Sequence, residues 1–163
     1  MALFDTEKDF VEGGCALIVG TVSRDGAPYA SRGWGLQIQP GDRRPVRLLL
    51  NIDDPVTHAN LSRVGDGGGA IAITGADVPT LQSFQVKGRV TCVEPARESD
   101  LVHAERYINH FFHDIVITDG TPRALVERMR PAGFMAYTVE VDETFDQTPG
   151  PAAGAPVDDD RPS

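Results

Sequence analysis

The run Cys15–Ser23, CALIVGTVS, is followed at once by Arg24-Asp25-Gly26 and then by Tyr29–Gln39, YASRGWGLQIQ. Two β-rich runs on either side of Asp-Gly specify a hairpin, because that dipeptide supplies the positive φ angles a tight return needs. A hairpin commits the two strands to antiparallel pairing, which argues against an alternating βαβ fold. Four more strands follow the same pattern: Val46–Ile52 after the Pro40-Gly41-Asp42 turn, Ala70–Thr74, Gln82–Val93 up to a break at Glu94-Pro95, and Phe134–Val141. Helical patterns fill the connections at Leu3–Glu12, Val56–Val64, Ala96–His113 and Pro122–Arg130. Six strands in 163 residues are expected to close on themselves, since closure removes exposed edges. The expected fold is α+β, mainly β: a six-stranded antiparallel barrel with peripheral helices.

One domain accounts for the chain up to residue 146. From Gln147 to Ser163, Pro, Gly, Ala and Asp dominate, and an arm without a core of its own is expected, disordered or extended. The net charge is −9, which sets the chain against a nucleic-acid backbone as partner. An anionic ligand would need locally gathered donors. No apolar run reaches the ~20 residues of a membrane span. The acidic N-terminus lacks the apolar segment of a secretion signal. The expectation is a cytoplasmic protein with no membrane or nucleic-acid partner. Cys15 and Cys92 lie in apolar runs outside any C-x-x-C pair and read as small hydrophobes.

Two stretches carry candidate chemistry. In QSFQVKG, the period of two places Leu81, Ser83, Gln85 and Lys87 on one face and Phe84 and Val86 on the other. That polar face is either a solvated surface or a row of donors for a polar ring edge or a phosphate. In ASRGWGL, Ser31, Gly33 and Gly35 fall on one face and Arg32, Trp34 and Leu36 on the other. The glycines mark either a close approach by a flat ligand or a bulge in the strand. Arg32 is out of place among apolar neighbours and either snorkels to the rim or pairs with a phosphate.

Other motifs carry less. Gly65-Asp66-Gly67-Gly68-Gly69 follows a helix and opens a strand, the reverse of a phosphate-binding loop, and reads as a connector. His103, His110 and His113 approach one helix face, but Asp114 is the only nearby carboxylate and no metal is expected. No hydrolase or zinc motif is present in the sequence.

Taken in order, ALIVGTVSRDGAPYASRGW, VRLLLNIDDPVTHANLSRV leading into AIAIT, and SFQVKGRV resemble the FMN-binding split barrels related to pyridoxamine 5′-phosphate oxidase. The ending FDQTPGP is similar to a C-terminal signature of a bacterial branch of that family. The resemblance implies a split barrel that forms a homodimer with FMN at the subunit interface and acts as an oxidoreductase on a small molecule. Relatives hold a deazaflavin or haem instead, and some have no known activity. Carried over residue by residue, it implies cofactor contacts from Ser31, Arg32, Gly33, Trp34, Asn51, Thr57, His58, Ser83, Gln85 and Lys87. No catalytic acid or base is implied. The Ser-Arg-Lys run with which the oxidase proper grips its phosphate reads Pro55-Val56-Thr57 here. That departure removes a cation and argues against true pyridoxamine phosphate oxidation. A flavin-carrying protein without activity, or a cofactor-free dimer, is the alternative.

Overall fold

The computed structural model describes residues 8–42, 45–65 and 68–157. Six antiparallel strands close into a barrel. They are β1 (Ala16–Val22), β2 (Pro28–Ile38), β3 (Val46–Asn51), β4 (Ala70–Ala76), β5 (Ser83–Pro95) and β6 (Phe134–Asp146), in the spatial order β1-β2-β3-β6-β5-β4. Among the described residues, four helical segments surround them: α1 (Lys8–Gly13), α2 (Pro55–Leu61), α3 (Glu98–Asp119) and α4 (Arg123–Val126), the last running into a 3₁₀ turn at Glu127–Met129. The described residues contain no helix long and apolar enough to cross a membrane.

The hairpin forms where Asp-Gly places it. Gly26 takes φ +86°, and the Ser23 N–H donates to the Ala27 carbonyl at 2.9 Å. Inward positions of the strands pack as one core of Leu17, Val19, Leu36, Leu48, Leu50, Ile73, Phe84, Val86 and Val139. A second layer lies outside the barrel, where Trp34 and Leu49 meet Ala104, Ile108, Phe111 and Phe112 of α3. The start of α3 is pinned to β3 by a buried ion pair. Arg47 Nε and Nη2 donate to the two Asp100 carboxylate oxygens at 2.7 and 2.6 Å, the paired geometry a guanidinium favours.

Several boundaries differ from the sequence expectation. β5 runs through Glu94-Pro95, where a break was expected, because Pro95 is the last residue of the ladder and its missing N–H costs little there. β6 extends five residues past Val141, paired along β5 as far as Asp146. α3 extends six residues past His113 and stops where Gly120 adopts φ +70°. α2 ends at Leu61, before Gly65. The described part of the tail, 147–157, turns back along β6, with the Val157 N–H donating to the Thr144 carbonyl at 2.8 Å. Half of the expected Leu3–Glu12 helix, residues 3–7, and the centre of the Gly65–Gly69 connector lie outside the described residues. Cys92 is exposed, not packed, because it lies just past a β5 bulge.

Candidate functional site

The same hairpin builds two contrasting surfaces. On its inner face, at one end of the barrel, α2 is fastened by polar side chains. Asp54 caps the helix, accepting from the Thr57 N–H at 3.0 Å. The Thr57 hydroxyl lies 2.6 Å from Asp54 Oδ2 and 3.0 Å from Ser31 Oγ. A hydroxyl has one hydrogen to give. With the shorter bond donated to the carboxylate, Ser31 supplies the hydrogen of the other. Asn60 donates to Thr21 Oγ1 at 3.0 Å, and His58 Nδ1 bonds the Tyr137 hydroxyl at 3.0 Å. Burial, reinforced by the charge of Asp54, pushes Tyr137 up to about 12, so it remains a neutral phenol. Ser31, Thr57 and His58 are thus brought together with their partners, but as the fastening of a helix. Asn51 Oδ1 accepts from the Asp53 N–H at 3.1 Å and shapes the turn into α2.

The glycine strip expected along β2 does not exist. The register slips between Gly33, opposite Leu50, and Gly35, opposite Leu49. This bulge at Trp34 inserts one residue and reverses the alternation. Gly33 faces the inside, where an added Cβ would lie 2.8 Å from the Leu17 Cβ; Gly35 faces outward against Leu49 and His103. Both places are filled by protein. Trp34 is buried against Phe112, edge to face with ring centroids 6.2 Å apart. Of the two readings of these glycines, the bulge is the one the structure has, and the bare face shared by Ser31, Gly33 and Gly35 is corrected.

A bare surface does exist, and it runs across the strands. Strand register aligns Ala30, Gly20, Ala72, Lys87 and Glu143 in one outward row, and Arg32, Ile18, Thr74, Gln85 and Phe145 in the next. The first row floors a groove of about 720 Å³, edged by Val22, Pro28, Tyr29, Arg89 and Asp142. That volume is within the range of small-molecule and cofactor sites. A Cβ added to Gly20 would touch only Ala72, at 3.9 Å, so the floor is open above it. Gly20, Ala30 and Ala72 were missed in the sequence. Their signal was small residues at outward positions of three different strands, visible as a row only once register is known.

Of the ten candidate residues, Lys87 lines the groove and Arg32 and Gln85 flank it in the adjoining row. The Lys87 ammonium lies 4.6 Å from the Phe145 ring centroid. The Gln85 amide donates to Thr74 Oγ1 at 2.9 Å. The Arg32 guanidinium stands 5.3 Å from the Phe111 ring centroid and 6.0 Å from that of Trp34. Its Nη1 atom is shielded from solvent and meets no acceptor among the described residues. Burial lowers its basicity from the usual arginine value. Ser83 sits apart from this set, its hydroxyl donating to the Leu81 carbonyl at 2.8 Å.

No protein-family model and no curated protein matches the chain in sequence. Solved structures do match it in shape. An F420 reductase shares 15% identity over 84% of this chain and 94% of its own, with a TM-score of 0.53. An FMN-binding protein from Syntrophomonas wolfei shares 12% over 88% and 84%, at 0.52. A protein provisionally assigned as a pyridoxamine 5′-phosphate oxidase, from Lactobacillus delbrueckii, shares 14% over 86% and 91%, at 0.50. The chain thus has the split-barrel fold of the pyridoxamine 5′-phosphate oxidase-like proteins.

Proposed function

We propose that this chain binds FMN on the outer face of its barrel and serves as a flavin-dependent oxidoreductase for a small molecule, with a second copy of the chain covering the site. The observation that carries the reading is the groove floored by Gly20, Ala30 and Ala72. Its flat apolar floor suits a planar ring, and its flanks offer an ammonium, an amide and an unsatisfied guanidinium. The fit of these groups to a flavin phosphate is partial. Arg32, half-buried and without a hydrogen bond among the described residues, and Lys87 would hold anionic or electron-rich parts of the cofactor. Ser31 and Thr57 would not, since their hydroxyls are spent on each other and on Asp54, whose carboxylate repels a phosphate.

Bound FMN would supply hydride or single-electron transfer at its ring. The chain's own part is to position and to shield. Ile18 and the small residues support one face of the ligand. Lys87 sets positive charge beside it, and Arg32 fixes its anionic end.

The test is an absorption spectrum of the purified protein, with mass analysis of what heat releases, then FMN titration of the stripped protein. Gly20→Val is expected to keep the fold, because nothing presses on that position, and to weaken FMN binding at least about tenfold by filling the floor. Release of a deazaflavin or haem would keep the site and change the cofactor. Failure of FMN to bind the stripped protein would overturn the reading in favour of a cofactor-free dimer.

A further inference from the structure

We propose that the outer face of α3 is a self-association surface, on which a second copy docks its own α3 antiparallel about a two-fold axis through Val102. Glu98, Leu101, Val102, Glu105, Arg106 and Asn109 line a shallow groove of about 430 Å³ on this face. Leu101 is 47% and Val102 61% exposed, an apolar pair facing water on a helix whose opposite face is fully packed. The charges around that pair are specific. Glu105 is already neutralised by Arg130 at 2.8 Å and accepts from Asn109 at 2.8 Å. Glu98 and Arg106 make no hydrogen bond or ion pair among the described residues.

Those two free charges stand four residues before and four after Val102, on one ridge of the helix surface. An antiparallel two-fold about Val102 places residue 98 of one copy opposite residue 106 of the other, twice over. The same patch is then its own complement, as a two-fold contact requires. Val102 meets Val102 at the centre, and the exposed apolar pair leaves water. Packing ridge beside ridge gives a crossing of roughly 50°, which confines contact to about two turns either side of the axis. The buried area then falls below the about 800 Å² per partner of a standard interface, so the association is weak, in the micromolar range or above. It lies on a different surface from the barrel groove and needs no cofactor.

Sedimentation equilibrium of the full chain, from about 1 to about 500 µM, tests it. The wild-type mass is expected to rise with concentration. Glu98→Arg and Arg106→Glu, both at exposed positions, are each expected to weaken that association about tenfold or more by setting like charges opposite one another. An equimolar mixture of the two variants should recover wild-type association. In the mixed dimer the introduced arginine of one copy faces the introduced glutamate of the other, and the unaltered Arg106 and Glu98 face each other across the axis. Circular dichroism confirms that the single variants are folded. A wild-type mass independent of concentration, single variants that associate like wild type, or a mixture that fails to recover would each overturn the proposal. A dimer through the barrel face would survive both variants and is broken by none of these changes.

Discussion

The inner and outer faces of the β1–β2 hairpin differ in what their polar groups have left to offer. Inside, Thr21, Ser31, Thr57, Asn60, His58 and Tyr137 are joined to one another or to Asp54, and together they hold α2 over the end of the barrel. Outside, a floor of Gly20, Ala30 and Ala72 lies between Lys87, which makes no ion pair among the described residues, and Arg32, whose buried Nη1 meets no acceptor there. A polar cluster becomes a binding site by what remains unsatisfied, not by the residue types it gathers. Burying polar groups is costly only when they stay unpaired, so an unpaired group is where an added partner gains most.

The largest effect that probes this contrast is expected at Gly88, beside the groove. A Cβ there would lie 2.0 Å from the Glu140 carbonyl oxygen, at a bulge between Lys87 and Gly88. The backbone itself must give way, so Gly88→Ala should lose about 3 kcal/mol or more of stability, seen as a lower urea midpoint. Gly20→Val, across the same floor, should stay within about 0.5 kcal/mol of wild type. Equal losses would mean that the outer face is packed and not bare.

Next comes the other place where charge is fully spent. Asp100→Asn leaves Arg47, 7% exposed, with Glu94, 2.7 Å from its Nη1, as its one remaining carboxylate partner among the described residues, and the expected loss is about 2–3 kcal/mol. Hydrogen bonds from Arg47 hold the Asp100 carboxyl below its usual range. A carboxyl depressed in the folded state stabilises the protein fully above its unfolded value of about 4 and ceases to do so as pH falls through the folded value. Wild type should therefore lose stability more steeply than the variant in acid. Parallel acid limbs would remove Asp100 from the account.

Asp54→Ala should cost about 1–2 kcal/mol, by removing a helix cap and a buried hydroxyl's acceptor. It should leave FMN affinity unchanged, and a large loss of affinity would return the α2 end of the barrel to candidacy. The smallest stability change is expected for Arg32→Met. The lost contact with the Phe111 and Trp34 rings, about 0.5–1 kcal/mol, is offset by removing an unsatisfied buried donor. Affinity should nonetheless fall about tenfold or more. A stability loss above about 2 kcal/mol would show that Arg32 is there to hold α3 against the barrel.

Much of the fold was legible because it is written locally. The Asp-Gly turn, the alternation of Ser83–Lys87 and the helix start at Asp54-Pro55 each act within a few residues, whereas the end of α3 at Gly120 was not anticipated. The candidate site was legible only in part. Lys87 could be placed on the outer face from periodicity alone, whereas Thr57 read as a donor and is an anchor. Whether a hydroxyl is free depends on a partner 26 residues away, as for Thr57 and Ser31, and no local pattern encodes that.

The sequence by itself determined the antiparallel hairpin, the six-stranded closure and which residues of β5 point inward, since turn chemistry and a two-residue period fix backbone and face together. Tertiary structure decided the rest. One extra residue at Trp34 reversed the parity of β2 and sent Gly33 and Gly35 to opposite faces. Strand register then assembled Ala30, Gly20 and Ala72 into a floor from three separate strands. Parity and register are set by pairing between strands distant in the chain, so the groove they build exists only in the folded barrel.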